Sequence, residues 1–164
     1  MRYSETIAVA WDTVDRLLGD GLEEMCALHY EEVAVDKSDI PLAPDWDEYR
    51  FLEKRGKLPW LSVRRQGRLI GYASYFIGFG LHYKLTKSGQ NDLMFIERGE
   101  RRKGAPGLRM LVEAEHLMRA LGVVRLIYHT KLHVVSDHGT KVGALMERLG
   151  YCHFEDCYSK ILRG

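Results

Sequence analysis

The sequence lacks three features that would each point to a particular class of protein: an excess of charge of one sign, a long apolar run and paired cysteines. Its 24 lysines and arginines are balanced by 23 aspartates and glutamates, so the net charge is +1. Broad affinity for nucleic acids needs a one-sided basic surface, so we do not expect a nucleic-acid partner. The longest apolar runs reach about six residues against the roughly 20 that span a bilayer, so we expect no membrane association.

Cysteine is also scarce, since only Cys26, Cys152 and Cys157 occur and no CxxC pair is present. An odd number of unpaired thiols is typical of a reducing compartment, which predicts a cytoplasmic protein. Glu5 and Asp12 interrupt the amino-terminal residues too early for a signal peptide. At 164 residues, with no repeat or linker, the sequence predicts one globular domain over residues 1–164.

The first half of the chain is predicted to be mainly helical, although its start is ambiguous. Ile7, Trp11, Val14 and Leu18 have helical spacing, whereas Ile7, Val9 and Trp11 also alternate as in a short strand. We predict helices over 22–35 and 45–55, separated by a loop at 41–44.

From residue 58 the apolar pattern changes to a period of two. It predicts strands 58–65 and 68–79, joined as a hairpin by Gln66 and Gly67. We then expect a polar loop (80–90), a strand (91–97), an irregular segment (98–106), a helix (107–121), a strand (123–131), a helix capped by Asp137 and a final strand or hairpin (151–162). This order predicts a mixed α+β fold whose carboxyl half is β-α-β-α-β, as in a partly parallel sheet.

A basic turn between a predicted strand and a predicted helix is the motif that indicates chemistry. It reads Arg101-Arg102-Lys103-Gly104-Ala105-Pro106-Gly107-Leu108. Small residues before a helix amino terminus leave backbone N–H groups that can hold a pyrophosphate, although an ordinary solvated basic loop has the same composition. Neither the Walker pattern nor the dinucleotide G-x-G-x-x-G pattern is present, which argues against a kinase, GTPase or dehydrogenase.

The ordered motifs of residues 58–162 resemble the GNAT superfamily of acetyl-CoA-dependent N-acyltransferases. The matching parts are the strand Asp92–Ile96, the Arg-x-x-Gly/Ala-x-Gly/Ala turn at Arg102–Gly107, the helix end at Leu121-Gly122, the strand Arg125–Tyr128 and the Leu145–Tyr151 run, which is similar to "LYEKLGF". Residues 81–84 and 128–131 resemble in particular the small members encoded by bacteriophages, which would act in the cytoplasm of the host.

The resemblance implies a central mixed, mostly antiparallel sheet with a V-shaped splay between two parallel strands, flanked by helices. It also implies acetyl-CoA as co-substrate, with its diphosphate near Arg102 and bound by backbone N–H groups of the turn that precedes the helix. The thioester carbonyl would lie near the N–H of Phe95 or Ile96. Pro106 has no N–H, so the turn offers one donor fewer. The cofactor-binding residues implied are Phe95, Ile96, Arg102, Lys103, Gly104, Ala105, Gly107 and Leu108.

Three residues are candidates for catalysis. Asp92, at the expected start of a strand, is the first candidate for general base, and His129 is the second because imidazole titrates near neutral pH. The resemblance places Met146 where many members have an acidic tyrosine, and a thioether cannot donate a proton. Tyr158 is therefore the candidate for general acid. For each of the three, a purely structural role is the alternative.

Metal binding is not expected. A site from His129, His133 and His138 would need His129 and His133 to share a helix face, but this stretch is predicted as strand and then loop. Cys152 and Cys157 form only a C-x₄-C pair, which is too little for a zinc site.

The resemblance thus implies an acetyl-CoA-dependent N-acetyltransferase that transfers acetyl to a primary amine by direct attack in a ternary complex. The acceptor, a small molecule or a protein amine, is left open, with Trp46, Tyr49, His82 and Tyr83 as possible walls of its pocket. A homodimer is also left open. The alternative, motivated by Met146 and the altered turn, is a non-catalytic GNAT-fold module that binds a host protein or a nucleic acid.

Overall fold

The computed structural model describes residues 6–130 and 138–162, which contain ten regular elements. The strands are β1 (Ile7–Asp12), β2 (Trp60–Arg65), β3 (Arg68–Gly80), β4 (Tyr83–Ile96) and β5 (Arg125–Ile127). The helices are α1 (Val14–Gly19), α2 (Leu22–Val33), α3 (Trp46–Lys54), α4 (Pro106–Ala120) and α5 (His138–Arg148). Within these ranges, no helix combines the length and the apolar character that crossing a membrane requires.

The five described strands form one sheet in the order β1-β2-β3-β4-β5. Each neighbouring pair is antiparallel except β4 and β5, which are parallel. Gln66 and Gly67, at φ 49° and 84°, form the tight turn between β2 and β3, and two successive positive φ angles match the twist of a hairpin. The predicted α+β fold with a mostly antiparallel sheet and flanking helices is therefore confirmed.

Helices cover both faces of the sheet, and strands β2, β3 and β4 contribute side chains to both because successive side chains point to opposite faces. Ile70 and Ala73 of β3 belong to the core that packs on Met110 and Ala114 of α4. On the opposite face, the core contains Leu69 and Tyr72 of β3, Trp60 of β2, Phe95 of β4, Val14 and Leu17 of α1, and Leu22, Met25 and Cys26 of α2. Helices α1, α2 and α3 thus cover one face of the sheet, the α1–α3 side, and α4 covers the other, the α4 side. Side chains of β4 contribute to both cores.

Several predicted boundaries are wrong. Residues 80–90 are not a polar loop, because β4 begins at Tyr83 and pairs with β3 from Gly80↔Tyr83 onwards. Backbone pairing stabilises this polar stretch, which carries no period of two in the sequence. The ambiguous start is a strand, β1, followed by the short helix α1.

At the carboxyl end the predicted strands are also too long. Of the predicted strand 123–131, whose last residue lies outside the described residues, only Arg125–Ile127 forms β5. Residues 151–162 contain no strand or hairpin and are almost entirely exposed. The helices predicted at 22–35, 45–55 and 107–121 are confirmed as α2, α3 and α4 to within two residues. Asp137, predicted to cap α5, lies outside the described residues.

Gly71 marks a close approach of β3 and β4. A Cβ atom added at Gly71 would lie 2.4 Å from Ile96 Cδ1 and 2.6 Å from the Phe95 carbonyl oxygen, whereas one added at Gly78 of the same strand would meet nothing within 4 Å. We expect Gly71→Ala to lower the free energy of unfolding by about 1–3 kcal/mol, because the clash involves backbone. Gly78→Ala is the matched control and should be neutral or slightly stabilising. Equal denaturant midpoints for the two variants would contradict this packing.

Candidate active site at the divergence of β4 and β5

The two parallel strands of the sheet pair only briefly and then separate. Ser88–Gln90 of β4 pairs with Arg125–Ile127 of β5, and β4 then continues to Ile96 without this neighbour. At the point of separation the side-chain oxygen Asn91 Oδ1 accepts a hydrogen bond from the backbone N–H of His129 at 2.6 Å. The divergence matches the V-shaped splay that the resemblance implies, and it opens the edge of β4 from Asn91 onwards.

A β-bulge in β4 lies at the start of this open edge. Tyr75 of β3 pairs with Asn91 and Ser74 pairs with Leu93, so Asp92 is the extra residue between them. Because a bulge interrupts the alternation of side chains, Asp92 and Leu93 both lie on the α1–α3 side of the sheet. There Asp92 Oδ2 accepts hydrogen bonds from Tyr49 Oη and Ser74 Oγ, each at 3.2 Å.

Burial sets the protonation behaviour of Asp92. Desolvation raises the pKa of this carboxyl above its ordinary value, although the hydrogen bonds from Tyr49 and Ser74 act in the opposite direction. Burial and the nearby Asp92 raise the pKa of Tyr49, which therefore stays protonated and keeps donating to the carboxylate. A carboxylate with a raised pKa is a stronger proton acceptor than an exposed one, as a general base requires.

The open edge of β4 also carries a backbone donor. Glu97 donates its N–H to Ile70 O of β3 at 2.9 Å. Since successive N–H groups of a strand alternate in direction, the Phe95 N–H points to β3 and the Ile96 N–H points away from it. Arg101 Nε donates to Ile96 O at 2.9 Å from that same side. Of the two predicted carbonyl-binding donors, Ile96 is thus the one that faces the divergence.

The turn before α4 leaves further donors. Gly104 and Ala105 both have left-handed backbones, with φ of 74° and 53°, and no side chain caps the helix. Pro106 occupies the first turn of α4, where a missing N–H costs little. Within the described residues, the N–H groups of Gly107 and Leu108 have no acceptor. Free N–H groups at a helix amino terminus are a general anion-binding arrangement.

The predicted basic cluster at this turn is only partly available to a ligand. Arg101 donates through Nη1 and Nη2 to both carboxylate oxygens of Glu32, at 2.5 and 2.8 Å, so it joins the turn to α2. Lys103 Nζ contacts Glu100 at 3.2 Å but stays exposed. Arg102 is exposed and makes no ion pair with any described residue. A bound anion would therefore meet Arg102 and Lys103, and Arg101 serves the fold.

One cavity of about 1090 Å³ connects these features. It brings together five of the predicted site residues: Asp92, Phe95, Ile96, Gly107 and His129. The other six predicted site residues do not line it: Arg102, Lys103, Gly104, Ala105, Leu108 and Tyr158. The first five of these six lie at or next to the start of α4, beside Gly107, whereas Tyr158 is 94% exposed in the irregular carboxyl-terminal segment.

The structure adds residues that the sequence did not single out. Ser74 and Glu32 have no motif, and only the fold brings them to Asp92 and Arg101. Tyr49, a possible wall of the acceptor pocket, also donates a hydrogen bond to Asp92, and Trp46 lines the cavity as well. His82 and Tyr83, the other suggested walls, are exposed and lie outside the cavity lining.

Neither the metal alternatives nor Met146 adds a functional group. The described residues contain no group of three or more histidine, cysteine or acidic side chains that could hold a metal. Cys152 and Cys157 are free and exposed, and His133 lies outside the described residues. Met146 is buried in α5 with 6% of its surface exposed, so no proton donor occurs at that position.

Comparison with known proteins gives matches in structure alone. No family model matches the sequence, and no curated protein matches it significantly. An aminoglycoside acetyltransferase from an uncultured soil metagenomic sample aligns with a TM-score of 0.73 and 13% identity, covering 96% of this chain and 99% of that one. A ribosomal-protein-alanine N-acetyltransferase from Brucella melitensis biovar Abortus 2308 gives 0.65 and 16%, covering 97% and 99%.

A third similar structure was solved with a ligand. It is AAC(6')-Iy in complex with a bisubstrate analogue, CoA-S-monomethyl-acetylneamine, and it aligns with a TM-score of 0.64 and 14% identity over 97% of this chain and 99% of that one. The structural neighbours are GNAT-fold N-acetyltransferases, and the fold of this chain is the GNAT fold.

The effect of the Tyr49 hydrogen bond on the pKa of Asp92 can be tested by substitution. Tyr49→Phe removes a donor that stabilises the charged carboxylate, so we expect the pKa of Asp92 to rise further. The titration of the ¹³C-labelled Asp92 carboxyl by NMR measures it. Tyr83→Phe, at an exposed position outside the cavity, is the control and should leave the titration unchanged. An unchanged or lowered Asp92 pKa in Tyr49→Phe would contradict the assigned donor.

Proposed function

We propose that the protein is an acetyl-CoA-dependent N-acetyltransferase that transfers the acetyl group to a primary amine by direct attack in a ternary complex. One observation carries the proposal. A single cavity joins the start of α4 at Gly107, the outward N–H side of Ile96 and the half-buried carboxylate of Asp92. A helix terminus suited to an anion, a backbone donor suited to a carbonyl oxygen and a carboxylate suited to accept a proton thus line the same cavity.

The residues of the chain fit acetyl-CoA. The uncapped N–H groups of Gly107 and Leu108 and the exposed side chains of Arg102 and Lys103 suit a diphosphate. Met110 and Leu111, on the next turn of α4, give the cavity an apolar wall beside this site. When bound, acetyl-CoA supplies an acetyl group activated as a thioester.

The groups around the cavity have complementary roles in acyl transfer. The Ile96 N–H would donate to the carbonyl oxygen, on which negative charge develops as the amine attacks. Asp92 would accept the proton that the ammonium must lose, directly or through water. A C–N bond forms, the C–S bond breaks and the sulfur takes up a proton, so the products are an N-acetylamine and free CoA thiol.

Two further residues have proposed roles as proton carriers. His129 lines the cavity at the end of β5 and is the second candidate for general base. Tyr158 is the candidate for the proton donor to sulfur, and its exposed position means that the carboxyl-terminal segment would have to approach the cleft. The non-catalytic alternative is favoured by one observation, the buried Met146 in place of an acid. Release of thiol by the wild-type protein would exclude that alternative.

Ligand binding is the first test. Acetyl-CoA at about 100 times its dissociation constant should stabilise the protein by about 2.7 kcal/mol, which raises the melting temperature by several degrees. Inorganic phosphate at the same concentration is the control and should give almost no shift. Arg102→Ala should reduce the acetyl-CoA shift without changing the melting temperature of the free protein. The absence of a shift with both acetyl-CoA and CoA would overturn the proposal.

The role of Asp92 is tested separately. Asp92→Asn should lower kcat/KM by about 10²-fold or more, which is the usual contribution of a general base, and should retain the melting shift with acetyl-CoA. The wild-type kcat/KM should rise with pH as Asp92 loses its proton. Because burial raises the pKa of Asp92, the midpoint of this rise should lie above the ordinary aspartate pKa. Asp47→Asn, at an exposed ion pair of α3, is the matched control with unchanged turnover. Wild-type turnover in Asp92→Asn would remove Asp92 from the mechanism.

A further inference from the structure

We propose that the acceptor is a primary amine attached to an apolar body, such as an alkyl or aryl monoamine, and is not a polycation. This inference rests on the proposed function and concerns the half of the cavity on the α1–α3 side of β4. The lining of that half comes mainly from α2, from residues 34–44 and from the start of α3. Its charge and its surface are both unusual for a site that would take a polyamine.

Charge is the first argument. Among the described residues that line the whole cavity, the charged side chains are Glu32, Asp92 and Arg101. Both oxygens of Glu32 are bound by Arg101, which lowers the pKa of Glu32 and neutralises its charge. Among the lining residues that the structure describes, Asp92 is thus the one carboxylate without a cationic partner, and it can compensate one ammonium group. Each additional ammonium of a polycation would lose hydration without gaining a partner.

The surface of residues 34–44 is the second argument. Val35, Ile40 and Leu42 line the cavity although 40%, 52% and 43% of their surfaces are exposed. Trp46 and Phe76 add aromatic surface to the same half. Exposed apolar side chains that are concentrated around a concave site indicate a ligand that covers them. An apolar body would bury this surface, whereas a polyhydroxylated or polyamine ligand would not.

Hydrogen bonds hold this apolar wall in place before any ligand binds. Tyr30 Oη donates to Ile40 O at 2.8 Å, and the Ile40 N–H donates to Asp36 O at 2.8 Å. Lys37 Nζ donates to Glu31 O at 2.6 Å, which ties the segment to the end of α2. A preformed wall spares the ligand the entropic cost of ordering a loop, so its apolar contacts contribute directly to affinity.

Acidic residues near the cavity do not change this conclusion. Asp36 and Asp39 lie on the same segment but do not line the cavity. Their charge would attract any cationic amine to the opening, whether it carries one ammonium group or several. Selection is therefore assigned to the lining, where one carboxylate faces an apolar wall.

The test compares acceptors of the two classes by release of CoA thiol from acetyl-CoA. The probes are 2-phenylethylamine and hexylamine as apolar monoamines, and spermidine and kanamycin as polycations. We expect kcat/KM to be at least tenfold higher for the better apolar monoamine than for either polycation. A polycation that equals or exceeds both monoamines overturns the inference. So does a protein whose melting temperature rises with acetyl-CoA but that acetylates neither monoamine.

A pair of exposed leucines supplies the variant test. Leu42→Ser removes apolar surface from the wall and should raise KM for 2-phenylethylamine roughly tenfold, with KM for acetyl-CoA unchanged. Leu28→Ser is the matched control, because Leu28 is 56% exposed on α2 and does not line the cavity. Equal KM values in the two variants would overturn the assigned wall. Failure of the wild type to bind acetyl-CoA would instead overturn the proposed function itself.

Discussion

The geometry of the site depends on the single extra residue that β4 carries opposite β3. Regular alternation would place Asp92 on the α4 side of the sheet, together with Met94 and Ile96. The bulge between Ser74 and Tyr75 places it on the α1–α3 side, where Tyr49 and Ser74 donate to its carboxylate. The strand then resumes regular pairing, so that Ile96 keeps its N–H on the side away from β3. One irregularity therefore separates the proposed proton acceptor, Asp92, from the proposed carbonyl-binding donor, the Ile96 N–H, along the same strand.

The rest of the cleft is built around this strand by polar contacts at its two ends. Asn91 accepts the His129 N–H where β5 leaves the sheet, so a side chain ends the parallel pairing. At the other end, Arg101 binds Ile96 O and both oxygens of Glu32, which links β4, the turn before α4 and α2. The guanidinium also lies 5.4 Å from the centre of the Phe95 ring. These contacts hold β4 open to ligands along the edge that β5 has left.

Much of this fold could be predicted from local sequence. The helical patterns of α3 and α4 and the Gln66-Gly67 turn are short-range signals, and the structure confirms these elements. Long-range contacts decided the elements that were predicted wrongly. Residues 83–90 are polar and form a strand only because β3 pairs with them. Tyr151–Leu162 contains three aromatic residues and two cysteines and yet forms no strand. Asp92 could be singled out from the sequence, but the bulge that orients it could not, because Asp92–Ile96 reads as a regular strand. The pairing of Arg101 with Glu32, 69 positions apart, has no local signal at all.

In the proposed reaction the amine and the thioester meet in one cleft, with Asp92 and the Ile96 N–H acting on them together. Initial-rate measurements of thiol release, with acetyl-CoA and 2-phenylethylamine both varied, test this most directly. Direct attack in a ternary complex predicts double-reciprocal plots that intersect, with saturation in both substrates. Parallel lines would instead indicate an acetyl-enzyme formed before the amine binds. Parallel lines, or thiol release that does not depend on the amine, would contradict the account.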